Sequence, residues 1–446
     1  MYEAILLYPR PLARSSGRLL LLPLLPHRPP LKPLPSELWF NIFIQVLFGD
    51  DQNAQSHTAH YNVLHSCSSL MLVCKAFKEV AMPLLYSCVQ LHSVDSLEKF
   101  TTRLHSADQM WDSIRRIPYS TPGRWVQVLD LSEPLTALNS SAFYAVDALL
   151  TQLFPLLPFL TRLILSPGFP LSRRALTSLT YRNDSPNLRV LCGIGYDPTF
   201  YSRVATDEDP FVQLLRVCVN LERLEVIGIG LNTDLESHFD AEPPVVAPLH
   251  LPHLRNLTLL SMPSSSLMQT LLHSSLPCLQ TLMLTPYDDV PFPTSLSSLF
   301  LETHGQHLRT LFLVTPNSWP THFHPSPTTL LHTSPNLRHL SLEYPLPALT
   351  IPFKTSLISP MSSLPTLPLE ILSIPRPSSD FWVTLEGLLP FLPSLKIVQT
   401  RGVRWLRHGM SSHAQEAGIQ GEMKAWERRL ARRGIQLLDE NWKETP

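Results

Sequence analysis

Glycine is scarce in this chain, and neither sign of charge prevails. Gly supplies 15 of the 446 residues and Pro 44, where averages are about 7% and 5%. Turns must therefore be made largely with Pro and Ser, with little recourse to the left-handed backbone that Gly permits. The 35 basic side chains face 36 acidic ones, a net charge of −1, so the totals carry no electrostatic footprint for nucleic acid or an anionic membrane surface. Cys67, Cys74, Cys88, Cys192, Cys218 and Cys278 stand without CxxC spacing or a disulfide framework. Reduced thiols and a cytoplasmic or nuclear location are the expectation. No apolar run approaches the ~18 residues of a membrane span. Arg14 and Arg18 ahead of Leu19 to Leu25 look like the start of a signal peptide, but Pro23 interrupts the run and no small-residue cleavage site follows. Residues 1–32 are expected to be a disordered, Pro- and Leu-rich leader.

Catalytic signatures are missing too. There is no GxxxxGK[ST], GxSxG or HExxH. Gly193 with Gly195, and Gly228 with Gly230, lack the third Gly of a dinucleotide site and read as loops leaving strands. His250 with His253, His304 with His307, and His322 with His324 could each offer two metal ligands, but no Cys or carboxylate at zinc spacing completes them. The glycosylation triplets at Asn139, Asn183 and Asn256 read as chance. No cofactor, no metal and no enzymatic activity are expected.

What the chain does have is a phrase. "SPNLRHLSLEYP" from Ser334 and "SPNLRVLCGIGY" from Ser185 belong to a set of ten sites. In each, an apolar residue is followed by another at +3 and, except in two degenerate copies that have Gly193 and Thr400 there, by a third at +5; the sites begin at Val126, Leu160, Leu188, Leu221, Leu254, Leu279, Leu308, Leu337, Leu369 and Leu395. Positions +3 and +5 share one face of a strand, while the leading residue enters the interior from the turn before it. Pro158, Pro186, Pro252, Pro277, Pro335 and Pro393 stand two residues ahead, where a missing N–H is tolerated. One such strand cannot bury its apolar face alone, whereas parallel neighbours can share a continuous core. Helically spaced segments lie between, such as Phe211, Leu214, Leu215 and Cys218. The tail has Trp426 and Leu430 at i,i+4, then Arg432, Arg433 and a stop at Gly434, as in a capping helix.

From about Arg124 to Arg401 the motif LxxLxL resembles leucine-rich repeat proteins, in their irregular, longer-repeat form. The resemblance implies that residues beside the buried leucines face a concave surface. These include Arg162, Ile164, Arg223, Glu225, Asn256, Thr258, Thr281, Met283, Thr310, Phe312, His339 and Ser341. Their mildly polar mixture, with apolar members and no basic stripe, suits a protein or peptide partner better than a polyanion.

Ahead of the repeats, Pro35 and Ser36 mark a helix start, with Ser as N-cap and Glu37 in the first turn. Leu38, Ile42, Phe43 and Val46 then form an apolar stripe. A polar insert follows, and then a second helix with Leu70, Val73, Cys74, Phe77 and Val80 on one face, ended by Pro83. Leu34-Pro35, Glu37-Leu38, the Leu72 to Lys75 stretch and Phe77 resemble the F-box, a three-helix module that often has Trp where Phe77 stands. The resemblance covers about Pro33 to Leu91. It implies docking on a Skp-type adaptor of a cullin–RING ubiquitin ligase through Leu34, Pro35, Leu38, Ile42, Val73 and Phe77, with the repeats holding an unknown protein substrate. The expected fold is therefore α/β, a leucine-rich-repeat solenoid preceded by a small all-α F-box-like module. Its domains are a leader at 1–32, the module at 33–92, a linker at 93–124, the solenoid at 125–405 and a capping helix and tail at 406–446. The alternative is a leucine-rich-repeat scaffold with no ligase role, its front helices acting as a cap.

Overall fold

The computed structural model describes residues 34–48, 67–109, 122–133, 140–181, 187–197, 209–228, 247–262, 265–285, 296–315, 330–344, 346, 349, 366–405 and 414–444. The leader, the polar insert of the front module, His322, His324, Asn139 and Asn183 lie outside them. The chain divides into two compact units between Ala81 and Met82.

In the first unit, helix α1 spans Ser36–Phe48. The carbonyl oxygen of Pro35 accepts from the N–H groups of Leu38 and Trp39, at 3.1 and 3.2 Å. Pro35 therefore holds the capping position, and Ser36 is the first helical residue rather than the cap. The expected stripe divides into two rows at i+4 spacing. Phe43 and Leu47 are buried, while Leu38, Ile42 and Val46 are exposed. The second run is not one helix either. A helical turn at 67–71 gives way to a turn at Leu72 and Val73, and helix α2 then runs over Lys75–Ser87. The break at Cys74 has a local cause, since its Sγ accepts the Phe77 N–H at 3.4 Å and caps the new helix. Pro83 sits inside α2 and does not end it. It forgoes one backbone hydrogen bond, and the helix continues to Ser87.

The second unit is a single twelve-stranded parallel sheet, its strands hydrogen-bonded in strict chain order from β1 to β12. They are β1 Cys88–Gln90, β2 Val128–Leu131, β3 Arg162–Pro170, β4 Val190–Tyr196, β5 Arg223–Gly228, β6 Asn256–Leu260, β7 Thr281–Leu284, β8 Thr310–Leu313, β9 His339–Ser341, β10 Ile371–Ile374, β11 Ile397–Thr400 and β12 Gln436–Leu438. The motif's +3 residues stand opposite one another from Leu129 through Leu163, Leu191, Leu224 and Leu257. The column continues through Leu282, Leu311, Leu340, Leu372 and Val398. Each is at most 1% exposed, and they join one continuous core with helices such as Pro210–Val217 and Ser266–Leu272. The sheet is a leucine-rich-repeat solenoid.

Proline's place in the phrase also has a geometry. Leu160, Leu254, Leu279, Leu337 and Leu395 donate their N–H to the carbonyl three residues back, at 3.2–3.4 Å. This puts Pro158, Pro252, Pro277, Pro335 and Pro393 second in a four-residue turn, where a fixed φ near −65° is preorganised. The next two N–H groups then share one carbonyl of the preceding repeat, as when Arg255 and Asn256 both donate to Glu222 O at 2.9 and 3.1 Å.

Three boundaries move. The stretch 93–124, expected as linker, contains the helix Val94–Gln109, whose Leu97, Thr101 and Leu104 are buried. β1 pairs with β2 in parallel, so the solenoid starts at 88, inside the range assigned to the front module, whose compact unit ends at Ala81. At the other end, β12 follows the helix Ala414–Ala431 and pairs with β11. Strands of three residues without the full motif escape a search for LxxLxL, yet the neighbouring strand supplies their hydrogen bonds. Gly193 and Gly195 also differ from expectation, for they lie within β4 rather than in a loop. Gly193 has φ +78°, and a Cβ there would stand 2.1 Å from the Leu165 carbonyl oxygen. The chain needs Gly at this irregularity in the β3–β4 register.

Candidate functional site

Two surfaces carry the candidate residues. On the first unit, α1 buries Phe43 and Leu47, and Trp39 and Phe43 meet Phe77 of α2 with ring centroids 4.7 and 5.1 Å apart. Phe77, expected among the adaptor contacts, is thus engaged in this aromatic cluster, and Trp39 joins it without having been singled out by the sequence. The opposite row of α1 is exposed, as is Leu34 just before it. Leu34 is 45% exposed, Leu38 47%, Ile42 40% and Val46 71%. Pro35 is exposed beside them, and Leu72 and Val73 are exposed in the turn before α2. Leaving large apolar side chains in water forfeits about 25 cal/mol for each Å² of apolar area left unburied. Such a row is the kind of patch that marks an interaction site.

On the second unit, the open face of the sheet carries the residues on either side of the +3 leucines. Arg162, Arg223 and Asn256 are exposed, while Ile164, Glu225, Thr258, Thr281, Met283, Thr310, Phe312 and His339 are half-buried. Register stacks Thr258, Met283 and Phe312 on one row and Thr281, Thr310 and His339 on the next. Ser341 does not belong with them. It is buried, and Arg401 Nη1 donates to its Oγ at 3.1 Å. The Arg401 guanidinium reaches in from beyond β11, also donating to Leu313 O at 3.3 Å and standing 3.4 Å from Glu343.

The two ends of the open face differ in chemistry. Toward the amino end, Arg223 and Glu225 are 3.5 Å apart beside Cys192. Burial pushes the Cys192 thiol up to about 12, and burial with Asp130 nearby raises Cys88 to about 11. Both thiols are protonated at neutral pH and make poor nucleophiles. Toward the carboxyl end, Phe312 and His339 stack edge-on at 4.9 Å, and Trp442 approaches His339 at 6.4 Å. Ser373 Oγ donates to Gln399 Oε1 at 2.9 Å, so it can only accept from His339 Nε2, 3.2 Å away. The imidazole is therefore the Nε2–H tautomer, and burial lowers its pKa below the ordinary 6.5.

Trp442 was not foreseen, and no local pattern marks it. It follows β12 in a turn organised by the buried Asp439. The Asp439 Oδ1 accepts from the N–H groups of Asn441 and Lys443 at 2.8 and 2.9 Å, and Oδ2 accepts from Trp405 N–H at 3.3 Å. Within that turn Trp442 takes φ +58°, a left-handed backbone that a bulky side chain rarely adopts, and remains 49% exposed. One histidine of the three pairs has a structural role. His304 is buried and donates Nε2–H to the carbonyls of Leu271 and Leu272, each at 3.2 Å, closing the end of the preceding helix.

No protein-family model matches the sequence, and no curated protein matches it. Among solved structures, the crystal structure of the Rad7 and Elc1 complex in yeast is similar to 85% of this chain over 90% of that one, at 12% identity and a TM-score of 0.30. Among the described residues, no helix is long and apolar enough to cross a membrane.

Proposed function

We propose that the protein is a non-enzymatic substrate receptor of an SCF-type ubiquitin ligase. In this reading the front unit docks on a Skp-type adaptor of the cullin–RING complex, and the open face of the solenoid holds a protein target. Catalysis is then proximity, because the receptor brings a target lysine near a ubiquitin-loaded enzyme supplied by other subunits. The observation that carries the reading is the outward apolar row of Leu38, Ile42 and Val46, preceded by exposed Leu34, on a helix whose other row is already engaged in an aromatic cluster. Leu38 and Ile42, expected from the F-box resemblance for adaptor contact, belong to that row; Leu34 and Pro35 are exposed just before it, Val73 is exposed in the turn before α2, and Phe77 is engaged in the aromatic cluster.

The test is the double variant Leu34→Ala, Pro35→Ala. Neither residue is buried, so the stability cost is about 1 kcal/mol or less. As interface anchors the pair is worth about 2 kcal/mol or more of binding, a roughly thirtyfold loss of adaptor affinity. An unchanged affinity with a lowered melting temperature sinks the ligase reading and leaves the scaffold with a helical cap.

A further inference from the structure

The edge from which the strands start carries a charge pattern that the buried leucines leave free to vary. Second-position residues of successive repeats are tied side by side through the backbone. Gln280 N–H donates to Arg255 O at 3.0 Å, Arg309 N–H to Gln280 O at 2.8 Å, and Arg338 N–H to Arg309 O at 2.7 Å. All four side chains project from exposed positions. At either end the ladder is neutralised: Arg189 pairs with Glu222 at 3.2 Å, and Glu370 stands 3.0 Å from Lys396 and 3.8 Å from Arg338. Between Glu222 and Glu370 the ladder holds no acid, and neither Arg255 nor Arg309 has an acidic partner among the described residues. Like charges on adjacent strands destabilise one another, and Arg309 and Arg338 are immediate neighbours. On a chain of net charge −1, Arg255 and Arg309 thus stand without a neutralising acid among the described residues, and Arg338 beside them shares Glu370 with Lys396.

The geometry points to this edge as a docking site for an extended, acidic segment of a protein, a run of Asp and Glu carried by the target. The proposal thus rests on the receptor reading and adds a second contact for the target beside the open face. From Arg255 to Arg338 is three strand spacings, about 14 Å, which an extended chain covers in about four residues. A spread-out line of guanidinium groups matches a run of carboxylates, each able to accept a bidentate pair. One phosphate would reach only part of it. Among the described residues, the turns that flank the ladder supply Pro, His, Cys, Gln and Asn before the leucines, and no Phe, Tyr or Trp on which bases could stack.

The probe is a fluorescent eight-residue glutamate peptide titrated into the full chain, with the glutamine peptide as control. This needs neither adaptor nor target, so its failure is separate from failure of the receptor reading. The expectation is binding that weakens as salt rises from about 50 to about 300 mM. It should fall tenfold or more in Arg255→Gln, Arg309→Gln, and be unaffected by Arg428→Gln, Arg432→Gln, exposed in the last turn of the helix Ala414–Ala431 and in the turn that follows it. Equal affinity for both double variants overturns the proposal, as does tighter binding of a singly phosphorylated peptide, of oligouridylate or of phosphatidylserine vesicles. Matched melting temperatures of the variants exclude a folding effect.

Discussion

Leucine serves opposite ends in the two units. In the solenoid, Leu163, Leu224, Leu282, Leu311 and Leu340 are wholly buried in one column, each covered by the next repeat. In the front unit, Leu38 on α1 and Leu34 just before it stand about half in water. The first arrangement holds a fold together, and its members share a single continuous core. The second contributes little to its own unit and gains when something covers it. Apolar content does not distinguish them. What does is whether the face is covered, as each repeat of the solenoid covers its neighbour.

The comparison can be broken most sharply at Leu340. Leu340→Asp puts an unpaired carboxylate into the shared core, and a loss of more than about 4 kcal/mol or outright unfolding is expected. Arg338→Asp, two residues away and exposed, should shift the thermal melt only slightly. Comparable melts would remove the argument for the leucine column. Next in size is Gly193→Ala, where a left-handed backbone and the Leu165 carbonyl leave no room for Cβ. About 2–3 kcal/mol of destabilisation is expected in urea unfolding, whereas Gly387→Ala, open to solvent within its helix, should be neutral or stabilising.

The open face sharpens the contrast from the other side. Thr310→Arg with Phe312→Asp, and separately Trp442→Ala, should each weaken capture of a target by tenfold or more. Adaptor affinity should stay as it was, which a pull-down with both partners would measure. If the two losses came together on an intact fold, the separation of the surfaces would be wrong. The smallest effect is a pH dependence. Burial depresses the His304 pKa below its ordinary 6.5, so the unfolded chain binds the proton more readily. The stability this neutral histidine contributes is present above about pH 6.5 and is lost as pH falls toward its lower native value. His304→Gln keeps a donor for the two carbonyls but cannot titrate, so its melting temperature should fall less between pH 7 and pH 5.

Much of the solenoid was legible because each repeat states its own rule. The leucines at +3 and +5 were named strand by strand, and Pro two residues ahead was placed where the chain turns into the strand. β1 and β12 were not, because Val89 and Leu437 stand in stretches that lack the full motif and become strands only by pairing with β2 and β11. The candidate site was legible in part. The outward residues of α1 were named, yet the stripe that included Phe43 merged two faces, which only the Trp39, Phe43 and Phe77 contacts separate. Ser341 fitted the outward alternation and is nevertheless buried, because Arg401 reaches it from sixty residues further along the chain.

By itself, then, the sequence determined the period, the parallel order and the identity of the buried column, since these follow from alternation along a strand and from the need of each strand to be covered by the next. Only the tertiary structure decided what lies across the open face. Trp442 comes to His339, and Arg401 to Ser341 and Leu313, through strand pairing and one buried carboxylate at Asp439. Contacts between side chains so distant along the chain have no periodicity to announce them, and their energy exists only once the backbone has been placed.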